Sequence, residues 1–221
     1  MAPHLSPSDV HGADLPDWRI FPATLATVVH TGTMITGVEF VSRIMQVAEE
    51  HNHHPDVALS YPRVVVTLTS HDVGAVTERD VAMARAITTI AEEMELALGL
   101  ADFKVLEIAI DAMDLDAVRP FWEAVLGYVP GSRPEDLVDP LGLRPLVWFQ
   151  QMDVPRPERN SVHLDVHVPE DEAGARVAAA LAAGGRLVDG GAAPSFWVLA
   201  DAEGNEACVC TWRSEPDPGG A

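Results

Sequence analysis

Between Val105 and Thr211 the chain passes through the same order of elements twice, and this repetition limits its architecture more than any other feature. Val105 to Asp111 reads as a strand, Leu115 to Leu126 as a helix stopped at Gly127, and Leu146 to Gln150 as a further strand. Ser161 to Val168 then reads as a strand and Glu170 to Ala183 as an Ala-rich helix stopped by Gly184-Gly185. Ser195 to Thr211 is a hairpin turned at Ala202-Glu203-Gly204-Asn205. Two diverged copies of one βαβββ unit account for that order.

The pattern before residue 100 is different, so two domains are expected, at 18–99 and 103–213. Residues 1–17 are rich in Pro, Ser, Asp and Gly without a hydrophobic period, which predicts a flexible arm, with order beginning at Trp18 and Ile20. Leu25 to Ile35 is β-branched and broken at Gly32, predicting two short strands. Thr36-Gly37 opens a helix whose Phe40, Val41, Ile44, Met45, Val47 and Ala48 make one apolar face, and Pro55 is expected to end it. Strands follow on either side of Pro62, with Val64, Val66 and Leu68 sharing a face. Thr77 and Asp80 form a capping box for a helix that should run to about Leu98, with Met83, Ile87, Ile90 and Met94 as its core stripe. Residues 99–102 are a short linker and 214–221 a flexible tail.

Charge excludes one class of partner. Thirty-four acidic residues stand against 14 basic ones, for a formal charge of -20, and the few Lys and Arg are scattered, so no stripe exists to neutralise a nucleic-acid backbone. No apolar run reaches the roughly 18 residues of a membrane span. The N-terminus carries neither the basic nor the apolar segment of a secretory signal, and Cys208 and Cys210 are badly placed to bridge each other. A soluble protein of the reducing cytoplasm is expected.

The chemistry concentrates where elements end. Ala48-Glu49-Glu50-His51-Asn52-His53-His54-Pro55-Asp56 closes the first long helix, and Thr69-Ser70-His71-Asp72 follows the exit of a strand. A helix C-terminus favours a protonated imidazole, which suits an acid at His53 or His54. Three uses of this cluster stay open from the residues alone: proton exchange with a substrate, metal binding, and mutual structural satisfaction. Adjacent histidines point different ways, and the His-x-x-x-His spacing of a helical metal site is absent.

The run Glu49-x-x-Asn52-His53-His54-Pro55-Asp56, then Tyr61, then Val64-x-Val66-x-Leu68-Thr69-Ser70-His71-Asp72-x-Gly74-x-x-Thr77-x-x-Asp80 resembles the pterin-4a-carbinolamine dehydratase family. The resemblance covers about residues 17 to 98. It implies an α+β fold, a four-stranded antiparallel sheet with helices on one face, assembled as a homo-oligomer, a dimer or tetramer. It also implies dehydration of 4a-hydroxytetrahydropterin to the quinonoid dihydropterin without metal or organic cofactor. By the resemblance His53 and His71 carry the proton transfers and His54 holds the pterin, while Glu49 and Asp72 orient the imidazoles and Asp56 lies at the substrate site. Two departures are visible: Val57 stands where the family has an aromatic, and Val29 to Ile35 replaces its Phe-x-Phe segment. Members of the family also serve as non-catalytic dimerisation or assembly partners.

Phe121-Trp122-x-x-Val125-Leu126-Gly127-Tyr128, Asn160-Ser161-Val162-His163-Leu164-Asp165-Val166 and Asp201-Ala202-Glu203-Gly204-Asn205 resemble the glyoxalase/bleomycin-resistance, or vicinal oxygen chelate, superfamily over about 103 to 213. The resemblance implies paired βαβββ modules and a divalent metal held by one residue from each of four strands. Carried over, those positions are Glu107, His163, Cys208 and Gln150, with Cys208 where a Glu is usual. A metal site, a metal-free small-molecule pocket and an oligomerising role are the three uses expected of this half. The reading of the whole is a pterin dehydratase joined to a glyoxalase-like domain. Its alternatives are a binding or assembly protein on the dehydratase fold, and a metal-dependent enzyme acting through the C-terminal half.

Overall fold

A computed structural model describes residues 3–99, 104–155 and 162–211 of the chain, which divides into two units, residues 1–105 and 106–221. The first is built on an antiparallel sheet of β1 (Arg19–Phe21), β2 (Thr24–His30), β3 (Asp56–Ser60) and β4 (Arg63–Leu68) in the order β1-β2-β4-β3, with β5 (Ala97–Leu98) pairing β2 beside β4 and β1. Alternation in β4 sends Val64, Val66 and Leu68 to one face, where they meet Phe40, Ile44 and Ala48 of α2 (Met34–His51) and Met83 and Ile87 of α3 (Glu78–Glu93). Each such fully buried aliphatic or aromatic side chain contributes about 1.5–3 kcal/mol.

Four local expectations are corrected. Residues 3–17 are not an unstructured arm: Pro7–Gly12 form α1, closed by a capping box between Ser6 and Asp9, and Val10 is buried in the core while the Leu5 amide donates to Val76 O. The second short strand expected up to Ile35 is the first turn of α2. Gly32, at φ 69°, turns the chain out of β2, and the Thr33 hydroxyl accepts from the Thr36 amide as N-cap, so capping outweighs the β preference of this segment. α2 stops at a left-handed Asn52 (φ 48°, ψ 42°), three residues before Pro55. α3 ends at Glu93 rather than near Leu98, because Glu95 adopts φ 55° and the chain turns back to place Leu98 opposite Val29. The linker residues 100–102 and the tail 214–221 lie outside the described residues.

The second unit holds the two βαβββ copies. β6 (Glu107–Ala112), α4 (Leu115–Leu126), β7 (Val129–Pro130), β8 (Asp136–Val138) and β9 (Leu146–Gln151) make a sheet ordered β6-β9-β8-β7. β10 (Leu164–His167), α5 (Glu170–Ala182), β11 (Arg186–Asp189), β12 (Phe196–Ala200) and β13 (Glu206–Cys210) make a second, ordered β10-β13-β12-β11. In each the first strand lies parallel to the last and the remaining pairs are antiparallel. Gly127 caps α4 at φ 69°, as its position after Leu126 predicts. The copies share one core, in which Phe121, Val125 and Phe149 of the first join Ala180, Leu199 and Val209 of the second. Trp122 Nε1 donates to Asp201 Oδ2 at 3.0 Å, and the Glu203 carboxylate accepts from the amides of Met113 and Asp114, so the last hairpin turn fastens onto the first helix.

A buried acid braces the loop after β8. Asp139 accepts from the Leu141 and Leu143 amides and from Arg144 Nη1. Burial alone pushes its carboxyl up, but those two amides and the Arg144 charge together hold it below the ordinary carboxylate value. A folded pKa below the unfolded one gives stability that is present above about pH 4 and lost as pH falls through the folded value. In acid unfolding followed by circular dichroism, wild type should therefore lose more stability below about pH 4 than Asp139→Asn. Equal acid sensitivity of the two proteins would remove Asp139 from the account.

Candidate functional site

The helix stop at Asn52 sets the position of His53, whose amide donates to Ala48 O at 3.1 Å while its ring turns inward to 7% exposure. There His53 Nε2 meets Asp80 Oδ1 at 2.8 Å. Asp80 is fully buried, and its other oxygen accepts from Ser70 Oγ at 2.7 Å, the Thr77 amide at 2.7 Å and Thr77 Oγ1 at 3.2 Å. With the carboxylate accepting throughout, Nε2 of His53 is the donor in this pair. The capping-box carboxylate of α3 thus also holds a histidine 27 positions earlier.

His71 follows Ser70, so it leaves β4 one residue from a hydroxyl bound to the same carboxylate that holds His53. Its Nε2 stands 3.8 Å from Asp56 Oδ2, an ion-pair distance beyond hydrogen-bond range, and both side chains are exposed. His54, half exposed, pairs with Glu49 Oε1 at 3.3 Å. Asp72, expected to orient an imidazole, instead accepts from Arg79 Nη2. That hydrogen bond is the largest influence on the Asp72 carboxyl and, with the Arg79 charge and a weaker pull from His53, lowers its pKa against the opposing effect of burial. One imidazole is therefore buried and braced, and two stand at the surface beside carboxylates. Asp80, which the sequence offers as a cap and as the end of the motif run, is the His53 partner to which no role at the site was assigned.

In the second unit, donor atoms of His163, Asp165 and Cys208 lie within 4.8 Å of one another. Asp165 is the direct register partner of Cys208, and His163 Nε2 is 3.3 Å from Asp165 Oδ1. Burial first, then the hydrogen bond and charge of Asp165, push the Cys208 thiol up to about 11. Both cysteines are free. Of the four positions carried over from the glyoxalase resemblance, His163 and Cys208 stand together, with Asp165 as their third member. Glu107 and Gln150 are on β6 and β9 of the other sheet, and the Glu107 carboxylate is not part of the cluster. His163, Asp165 and Cys208 make a nitrogen, oxygen and sulfur donor set from one strand pair. The signal for Asp165 was available as strand parity, since it shares a face with His163 and faces Cys208.

Comparison with known proteins divides the chain in the same place. A family model described as pterin 4 alpha carbinolamine dehydratase matches residues 4–90, and one described as glyoxalase-like domain matches residues 107–210. A protein of Thermosynechococcus vestitus named "Putative pterin-4-alpha-carbinolamine dehydratase" is 38% identical over 93 residues, which are 41% of this chain and 98% of the relative. A relative of the same name from Mycolicibacterium smegmatis is 35% identical over 80 residues, 36% of this chain and 85% of its own. Among solved structures, the transcriptional coactivator/pterin dehydratase of Brucella melitensis is 30% identical, with a TM-score of 0.39 over 40% of this chain and 99% of that one. A glyoxalase/bleomycin resistance protein/dioxygenase family enzyme of Burkholderia phytofirmans PsJN is 19% identical, with a TM-score of 0.40 over 48% of this chain and 95% of that one.

Proposed function

Because the chain belongs to the pterin-4a-carbinolamine dehydratase family through its first unit and carries a glyoxalase-like domain behind it, we propose that the first unit dehydrates a 4a-hydroxytetrahydropterin to the quinonoid dihydropterin. The observation that carries this reading is the buried His53–Asp80 pair, linked through Ser70 to the strand exit that bears His71. An imidazole held at one nitrogen by a buried carboxylate is positioned to transfer a proton at the other.

The reaction breaks the C4a–O bond and forms a C4a–N5 double bond, so the departing hydroxyl takes up a proton and the ring nitrogen loses one. Imidazole does both near neutral pH. His53, held by Asp80 at Nε2, exchanges its proton at Nδ1. His71, exposed and backed by Asp56, supplies the other transfer. His54 and Glu49 line the surface on which the pterin is held. No step calls on a metal or organic cofactor, and the working form is read as a cytoplasmic homo-oligomer.

The test follows freshly generated 4a-hydroxytetrahydropterin by loss of the carbinolamine absorbance. Wild type is expected to accelerate the loss, with His53→Ala and His71→Ala each about 100-fold lower in kcat/KM, and His54→Ala raised mainly in KM. Wild-type protein that is folded yet gives only the uncatalysed rate would sink the reading.

A further inference from the structure

We infer that Arg79 is a positioning residue of the dehydration site: by holding Asp72 it fixes the loop that carries His71, so that the first turn of α3 places both proton-transfer imidazoles. The inference rests on the dehydratase reading and adds to it a residue that does not touch the pterin.

The first turn of α3 reaches out in two directions. Thr77 is its N-cap, and Arg79 and Asp80 are its second and third residues, about 100° apart around the helix axis. Asp80 is buried in the core, where it holds His53 and accepts from Ser70 Oγ. Arg79 runs toward the loop, and its Nη2 donates to Asp72 Oδ1. Ser70 and Asp72 are the two neighbours of His71. The histidine is therefore tied on both sides to one helical turn, each tie a single Cα–Cα step of about 3.8 Å away. The loop's own backbone bonds all return to Ser70, whose amide donates to Ala75 O and whose carbonyl accepts from the amides of Val73 and Gly74. Those bonds shape the turn, and the Asp72 side chain fastens its outer part to α3.

Stability does not account for the arginine. Both members of the pair reach solvent, and an exposed ion pair adds little to folding. Among the described residues Arg79 Nε is buried without a hydrogen-bond partner, a cost that an apolar side chain would avoid. What the guanidinium supplies is one charge-assisted hydrogen bond to the residue beside His71. That bond also lowers the Asp72 carboxyl below its ordinary pKa, which keeps it an acceptor. With Asp72 so engaged, Asp56 is the carboxylate that faces the His71 ring.

The experiment compares the full chain as wild type, Asp72→Asn, Arg79→Gln, the double variant and Arg79→Lys. Each is run in the carbinolamine assay and by nitrogen-15 relaxation of the His71 and Asp72 amides. Asp72→Asn and Arg79→Gln are each expected to lower kcat by about 10- to 100-fold with KM little changed, and to melt as wild type does. The double variant should be no worse than either single one, because both break the same tie. Arg79→Lys should recover most of the loss, since a single Nη2 contact is one that an ammonium can make. The His71 amide should become more mobile in Arg79→Gln. Arg43→Gln, which breaks an exposed pair with Glu93 at the far end of α3, should change neither kinetics nor relaxation. Additive losses in the double variant, an effect on KM in place of kcat, or a His71 amide as ordered in Arg79→Gln as in wild type would each overturn the proposal. The relaxation measurement needs no turnover, so an inactive wild type whose loop still loosens in Arg79→Gln would sink the dehydratase reading and leave the tie standing.

Discussion

Asp80→Ala is expected to destabilise the first unit by about 3–5 kcal/mol, the usual cost of removing one partner from a buried ionic network. The reason lies in what is left behind. The His53 ring, the Ser70 hydroxyl and the Thr77 amide all direct donors at this carboxylate, and the position is closed to water. Asp80→Asn separates stability from chemistry. The amide keeps one acceptor for Ser70 and Thr77 but turns an N–H toward His53, which forces Nε2 to accept and moves the ring proton to Nδ1. Dehydration should then fall by about 100-fold while the melting transition shifts far less than in the Ala variant. Nitrogen-15 shifts of the imidazole read the tautomer directly. An Asn variant with wild-type turnover, or with the wild-type tautomer, would show that Asp80 is a helix cap and nothing more.

Phe121→Ala should cost the second unit about 4 kcal/mol, near the upper end for a large-to-small core change. Phe121 is fully buried and meets Trp122 edge-on at 5.4 Å. The wall around it cannot close in. Gly185 packs so near the ring that a Cβ there would stand 2.4 Å from it, and the Ala180 carbonyl is close to the same point. α4 is itself pinned through Trp122 to Asp201. A rigid lining keeps the cavity open, so its full penalty remains. Urea unfolding read by amide exchange in α4 measures this, with Phe121→Leu as the milder comparison. A loss below about 1 kcal/mol for the Ala variant would mean that the core relaxes after all.

The βαβββ repeat was readable because glycines mark its joints: Gly127 after α4, Gly184-Gly185 after α5 and Gly204 in the last turn all take positive φ or lie in a close contact. The core faces of α2, β4 and α3 were equally plain, since periodicity alone separates Val64, Val66 and Leu68 from their neighbours. The misreadings share a cause. Thr33-Met34-Ile35 is β-branched in part, yet a threonine hydroxyl placed to cap a helix decides the local structure. The segment 3–17 has no period of its own and is ordered by contacts with distant residues, among them Val76. The site shows the same division. The histidines, Glu49 and Asp56 were visible as a local motif, but the partner of His53 lies 27 residues on, where a capping motif already explained the aspartate. Asp72 sits beside His71 in sequence and yet turns to Arg79. Sequence neighbourhood reports which groups are near, and not which of them face one another.

The parallel pairing of first and last strands in each βαβββ copy also governs the order in which the second unit can assemble. β6 has no sheet partner until residues 146–151 have been made, and β10 none until residues 206–210. On a ribosome the earlier strands wait with open edges, and the pairing of widely separated segments makes closure slow. Loss of the few residues of β13 would leave β10 and β12 without their shared neighbour at once. A nascent chain halted just short of Glu206 should therefore be a substrate for holdase chaperones, and one released past Cys210 should escape them.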